Sequence, residues 1–227
     1  MKRNLFYSTM ALLAGSLFAA DSSPKDDIIA AARKLGDKPN YSWKTTVVVP
    51  ESAQFKPGPT EGKTEKDGFT YVTMSFGENM TEGVVKGDKA VVTNQDGDWQ
   101  MTSELENAQG PGGFRARIIK NLKTPAVQAA ELAAAAKELK KDGEVFSGEL
   151  TEEGAKAQFR FGTPKNPKGS VKFWLKDGAL AKYEFKVQGK VDFNGNEMDI
   201  DRVTTVEVKD VGTTKVNIPE AAKKKLT

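Results

Sequence analysis

The sequence predicts a mainly β fold with helices, of the α+β class: a curved antiparallel sheet or incomplete barrel with a helical insertion over its concave face. Three observations carry this expectation. From Leu180 to Phe193 the side chains alternate, with Ala181, Tyr183, Phe185, Val187, Val191 and Phe193 on one side and Lys182, Glu184, Lys186, Gln188, Lys190 and Asp192 on the other. That is the pattern of a strand with one buried and one solvated face. Asp177-Gly178 and Asn194-Gly195 flank this strand as two-residue hairpin signals, so three long strands pair in sequence order. Earlier in the chain the apolar period changes from two to that of a helix, first over Phe114, Ile118, Ile119 and Leu122 and then from Val127 to Leu139.

The first twenty residues read as a cleavable signal peptide. Lys2 and Arg3 form a positive start, and Leu5 to Phe18 supply a short apolar stretch before Ala19-Ala20-Asp21. Ser8, Thr9, Gly15 and Ser16 interrupt that stretch, which falls short of the roughly 20 apolar residues of a membrane span. Lipoprotein processing needs a cysteine, and the chain has none. The expectation is an exported protein, periplasmic or secreted, with no stable membrane anchor and one domain over residues 21–227.

The mature part opens with a helix, capped by Ser23, begun by Pro24 and closed at Gly36. Tyr41 to Val49 reads as a strand that Pro50 ends, and residues 51–67, rich in charge and carrying Pro57-Gly58-Pro59, read as a long loop or irregular edge. Phe69 to Phe76, Gly83 to Lys86, Lys89 to Asn94 and Asp98 to Thr102 form an antiparallel meander. Gly110 to Gly113 gives a flexible entry to the two helices of the insertion, the second running from Thr124 and Pro125 to Gly143. Val145 to Leu150, Gln158 to Phe161, Ser170 to Lys176, Leu180 to Phe193 and Met198 to Lys209 complete the strands.

Composition narrows the function classes. The 34 basic residues less Lys2 and Arg3 leave 32 against 31 acidic ones, so a nucleic-acid partner lacks its electrostatic support. No histidine is present to act as general base or zinc ligand. Asp192 to Glu197 has the look of a calcium loop, but Glu197 stands where the sharp turn needs glycine and Val203 where a carboxylate is needed. Ser22 and Lys25 have the spacing of an acyl-enzyme pair with no companion motif. Asp199 with Asp201, and Glu152 with Glu153, are carboxylate pairs of the sort that chance supplies among 31 acidic residues. Gly110-Pro111-Gly112-Gly113 lacks the lysine of a phosphate loop. Lys223 to Lys225 read as a solvated last helical turn. No enzyme, metal or cofactor is expected.

The order of elements, with Tyr41-Ser42-Trp43 opening a strand, Phe173-Trp174 before Asp177-Gly178, Lys182-Tyr183, and Val208 to Gly212 before Ile218-Pro219, resembles the LolA/LppX-type superfamily of envelope carriers. The resemblance covers nearly the whole mature chain. It implies an incomplete antiparallel barrel with helices over its concave side, and a lipid or a lipoprotein's acyl chain as the partner. The lipid-bearing cysteine of LppX-type lipoproteins is missing, which makes a free carrier the nearer analogue.

A sheet of this curvature leaves a cavity larger than its own side chains fill, as ligand-holding barrels do. The expected lining is Trp43, Tyr71, Trp99, Phe114, Ile118, Ile119, Leu122 and Leu132. Ala129, Ala130 and Ala133 to Ala136 are too small to plug a wide concavity, or else allow close packing. Two functions follow: a binding module that shields an acyl chain, or a structural or protein-interaction module of the envelope with a filled core. Neither uses a disulfide or a metal. Cooperative thermal unfolding should therefore be unchanged by reductant and by a chelator, and a fall in melting temperature with the chelator would refute the reading.

Overall fold

The computed structural model describes residues 22–53, 56–76, 79–159, 162–193 and 195–227. The expected signal peptide, Asn194 of the second hairpin, and Arg160 and Phe161 of an expected strand lie outside the described residues. In chain order the elements are α1 (Pro24–Gly36), β1 (Asn40–Val48), β2 (Thr60–Glu65), β3 (Thr70–Phe76), β4 (Asn79–Lys86), β5 (Lys89–Thr93) and β6 (Trp99–Met101). A 3-10 turn, Thr102–Leu105, leads to α2 (Gly110–Lys120) and α3 (Pro125–Ala135). The second half holds β7 (Lys140–Asp142), β8 (Val145–Glu149), α4 (Glu152–Lys156), β9 (Pro164–Lys176), β10 (Ala179–Phe193), β11 (Asn196–Lys209) and α5 (Glu220–Leu226).

Among the described residues eleven strands join one antiparallel sheet in the order β6-β5-β4-β3-β2-β1-β11-β10-β9-β8-β7, with β6 and β7 at its two edges. The α+β expectation holds as an open curved sheet, and the sheet is not a closed barrel. Antiparallel order follows from short turns. Asp177 and Gly178 both take positive φ, 52° and 71°, and bring Lys176 opposite Ala179. The right-handed twist of the strands favours such mirror-image turns, which asparagine, aspartate and glycine tolerate. Beyond the turn, β10 buries Tyr183, Phe185, Val187 and Val191, as the alternation predicts.

Four expectations are corrected by tertiary pairing. Residues 51–67 are not wholly loop, because β2 lies between β1 and β3 in the interior of the sheet. Its inward positions are Gly62 and Thr64, which carry no apolar signal; a Cβ on Gly62 would stand 2.1 Å from the Trp43 ring, so the ring takes the place of a side chain. The second helix of the insertion ends at Ala135 and does not reach Gly143. Ala136 turns extended (ψ 143°) and bridges to Leu150, and Lys137 donates its N–H to the Glu149 carbonyl at 2.8 Å. Gln158 and Phe159 continue the turn that follows α4, whose start is capped by the Thr151 hydroxyl accepting from the Gly154 N–H at 3.0 Å. Finally, β9 begins at Pro164, six residues before the expected start. Its two prolines are tolerated because the register shifts between Gln188 and Lys190, and Asn166 takes φ 50° at that irregularity.

Both faces of the sheet bury apolar residues. The larger core lies on the face covered by α1, α2, α3 and α4, and holds Phe146, Phe173, Tyr183, Val72, Ile119 and Leu132 among others. A smaller cluster of Val84, Val91 and Trp99 on the other face is covered by Ala222 and Leu226 of α5. The register of β10 predicts a contrast between neighbours. Phe185→Asp places a carboxylate in the larger core and should lower stability by several kcal/mol. Lys186→Asp breaks only a 3.3 Å pair with Asp201, in which both side chains are about 40% exposed, a loss below about 1 kcal/mol. Thermal melts of the two variants that coincide would show the register to be wrong.

Candidate functional site

The site that sequence reasoning expects is the space between the sheet and its helical cover. α3 packs chiefly on α1, and α1 on β10. The inner surface of this cover mixes alanines with a few larger residues: α3 buries Pro125, Ala126, Ala129, Leu132 and Ala133, while α1 buries Ile28, Ala31, Ala32 and Leu35. The sheet answers with rings. Phe173 and Tyr183 lie 6.3 Å apart, and Tyr41 and Trp43 lie 6.0 Å apart in tilted pairs. Large rings below and alanines above fill the space, as close packing requires.

Polar groups hold the cover down. Tyr183, fully buried, donates its hydroxyl to Gln128 Oε1 of α3 at 2.7 Å. The Tyr41 hydroxyl faces the Thr124 side chain and the Ala126 backbone at the start of α3. Thr124 occupies the N-cap position without making the side-chain cap bond. At the other end of α3, Lys25 of α1 donates to the Ala136 carbonyl at 2.7 Å, so a cation satisfies the end of the helix and ties α3 to α1. The serine-lysine pair noted in the sequence is thereby divided: Ser22 bonds Asp27, and Lys25 is a tether.

The eight expected lining residues separate. Trp43, Ile119 and Leu132 are buried in the larger core, and Ile118 and Leu122 are half-buried against it. Phe114 is half-buried on α2. Tyr71 and Trp99 belong to the cluster on the opposite face, beneath α5. The reason is parity: β3 sends Val72 and Met74 to the larger core, so Tyr71, one residue before Val72, points away. Gly110 to Gly113 is the first turn of α2 and not an open hinge. Gly113 is pressed on the Ala108 carbonyl, where a Cβ would stand 1.9 Å from the oxygen. α2 is also keyed to the sheet, since Ile119 fills the place of a side chain at Gly83. Sequence reasoning missed Gln128, Lys25 and Tyr183 as the residues that hold the cover, and Tyr183 was visible only as one more inward position of β10.

Two open pockets, of about 390 and 340 Å³, lie at the margin of this seam, the second reaching Ala31 of its cover. Both sit beside α1 at the Asp177-Gly178 turn, sharing Lys34, and the second has Phe146 and Leu175 in its wall. Other candidate chemistries dissolve into surface structure. Asp192 Oδ1 accepts from the Gly195 N–H at 3.0 Å, as a hairpin turn requires. Asp201 pairs with Lys186 at 3.3 Å, and Asp199 lies 3.9 Å from Lys190. Among the described residues no three acidic side chains come together as a metal site, and no helix is long and apolar enough to cross a membrane.

Burial raises the Tyr183 phenol well above its ordinary value of 10.0, with the nearby Tyr41 adding to the shift, and burial also raises Tyr41. A phenol raised on folding contributes stability that is complete below the unfolded value near 10 and is lost as pH rises above it. Stability should therefore be flat through neutral pH and fall above about pH 10. Tyr183→Phe removes one hydrogen bond, a loss of about 1 kcal/mol at pH 7, and should flatten the alkaline fall. Denaturant titrations from pH 7 to 11 measure this; an unchanged alkaline slope in the variant would exclude Tyr183 as the group.

No protein-family model matches the chain, and no curated protein matches it. Solved structures do. LprF from Mycobacterium bovis is 13% identical over 88% of this chain and 100% of its own length, with a TM-score of 0.49. The lipoprotein LppX from Mycobacterium tuberculosis is 10% identical over 86% and 97% of the two chains, with a TM-score of 0.45. A LolA superfamily protein from Nitrosomonas europaea is 12% identical over 88% and 96%, with a TM-score of 0.35. LppX and the LolA superfamily are the groups that the resemblance read in the sequence names, while the fold itself rests on the strand pairing given above.

Proposed function

We propose that the protein is a non-enzymatic, exported binding module of one domain that shields an acyl chain, from a lipid or from a lipoprotein, between the sheet and the cover formed by α1 and α3. The observation that carries this reading is the make-up of the seam. An alanine buries little apolar area, so lifting the cover exposes less than lifting a leucine-faced helix would. The Tyr183 to Gln128 bond and the Tyr41 contacts can be replaced by water when it opens. Each methylene that enters contributes roughly 0.8 kcal/mol, so a long chain offsets the cost of opening. In this reading Trp43, Ile118, Ile119, Leu122 and Leu132 line the occupied site with Phe114 at its margin. Tyr71 and Trp99 take no part, because they lie under α5. The resemblance read in the sequence points the same way.

A second reading, a structural or protein-interaction module without a small ligand, is favoured by one observation: buried rings and aliphatic side chains already pack together across the seam. Native mass spectrometry and lipid extraction of protein purified from its own host separate the two. The carrier reading expects acyl-chain ligand, binding of a fluorescent fatty acid at micromolar concentration, and a reduced load in Ile118→Trp with its melting temperature retained. Protein that is ligand-free and binds no fluorescent fatty acid would make the filled module the better account.

A further inference from the structure

The two pockets beside α1 adjoin, since Lys34, Asp177 and Gly178 stand in the walls of both. The second continues along the helix past Ala31 and Ala30 to Asp27. With Lys34 these residues are three and four positions apart, so they share one side of α1. Opposite that side are two glycine turns, at Gly143 between β7 and β8 and at Gly178 between β9 and β10. The groove is graded from end to end. Its outer end is bounded by Lys34, Lys38, Asp37 and Asp177. Its inner end has Phe146 and Ala31 in the wall, which are 1% and 2% exposed and belong to the larger core. Charge thus gives way to an aromatic ring and alanine where the groove meets the cover of the seam.

Some of the charged groups in the walls are engaged within the protein. Asp37 pairs with Lys66 at 3.0 Å, Asp27 accepts from the Ser22 hydroxyl, and the Lys141 ammonium lies 5.2 Å from the centre of the Phe146 ring. Lys34, Lys38, Asp177 and Glu144 are exposed and form no ion pair among the described residues. Free charge of both signs at the open end, and an apolar inner end, match an amphiphile whose head carries both signs. We propose that this groove is a head-group site for a phospholipid bearing a phosphate and an ammonium, its acyl chain running past Ala31 into the seam. The phosphate lies by Lys34 and Lys38, and the ammonium by Asp177 and Glu144. This inference rests on the acyl-chain reading above, and it selects a free lipid over a lipoprotein. An uncharged head leaves all four groups to water, and an anionic head sets charge beside two carboxylates with no cation to answer them. The groups are exposed, so the discrimination is modest in size.

The test is calorimetric titration of the full mature protein with lysophosphatidylethanolamine, lysophosphatidylglycerol and monoacylglycerol of one chain length, and with phosphoethanolamine, which has no chain. The zwitterionic lipid should bind roughly three- to tenfold more tightly than the other two, and phosphoethanolamine should give no measurable binding. Lys34→Glu should abolish the preference and Lys34→Arg should keep it. Ala30→Trp, on the exposed wall of the groove, should weaken every chain-bearing lipid. All three variants alter exposed positions, so their melting temperatures should match the wild type. Three heads that bind alike, a preference that survives Lys34→Glu, or unweakened binding in Ala30→Trp would overturn the head-group site and leave the acyl-chain reading standing. Phosphoethanolamine that binds as tightly as the lipid would overturn it as well, assigning the groove to a soluble ligand. If none of the lipids binds, the acyl-chain reading fails and this site fails with it.

Discussion

Because side chains alternate strictly along a strand, the register of β10 between β9 and β11 decides which residues this molecule can bury at all. A slip of one residue would turn Tyr183, Phe185, Val187 and Val191 to water and bring four charged or polar neighbours into the core. The register is held from two sides. The Asp177-Gly178 turn sets β9 against β10, and the ion pairs of Lys186 and Lys190 with acidic residues of β11 suit only one alignment. With β10 in place, β11 positions β1, and β1 positions β2 by laying Trp43 over Gly62. The helical cover then rests on the row of rings that β10 and its neighbours present.

That dependence explains why the cover has the composition it has. Tyr183, Phe173 and Trp43 fill much of the space above the sheet, and the helices over them meet it with alanines and a few larger side chains, Ile28, Leu35 and Leu132. The close contact made by α1 with α3 needs the same small residues. An interface of this kind gains less from burial per residue than a leucine-rich one and leans on hydrogen bonds from Tyr183 and Lys25. α2 is attached differently, with Ile119 keyed into Gly83 and Gly113 closed against Ala108. The helical layer thus has a firmly keyed part and a part held by polar ties, and the proposed opening belongs to the latter.

The two halves of the sheet also solve different burial problems. Strands β9 to β11 keep one face wet, where lysines and carboxylates pair at the surface. Strands β3 to β6 carry apolar residues on both faces, and the chain returns after β11 to lay α5 over Val84, Val91 and Trp99. A short helix with Ala222 and Leu226 inward and three lysines outward is enough to cover that patch.

How far the residues alone carried the description follows from the range of the forces involved. Alternation, turn residues and caps act over two to four positions, so α1, β1, the meander and the β10–β11 hairpin were legible within a few residues of their ends. Tyr183, Phe185 and Val187 could be placed inside before any neighbour was known. What depended on partners distant in the chain was not legible. β2 has Gly62 and Thr64 at its inward positions and is a strand only because β1 and β3 flank it. The helical pattern running toward Gly143 gives way at Ala136 because Leu150 and Glu149 offer backbone partners there. Tyr71 and Trp99 were grouped with Trp43 as aromatic residues, and the pleat together with α5 sent them to the other side. Whether the space beneath the helices is empty or filled was likewise beyond any local pattern. Packing density is a property of side chains brought together from both halves of the chain, and here Phe146, Phe173 and Tyr183 meet Ala129 and Leu132 only in the folded molecule.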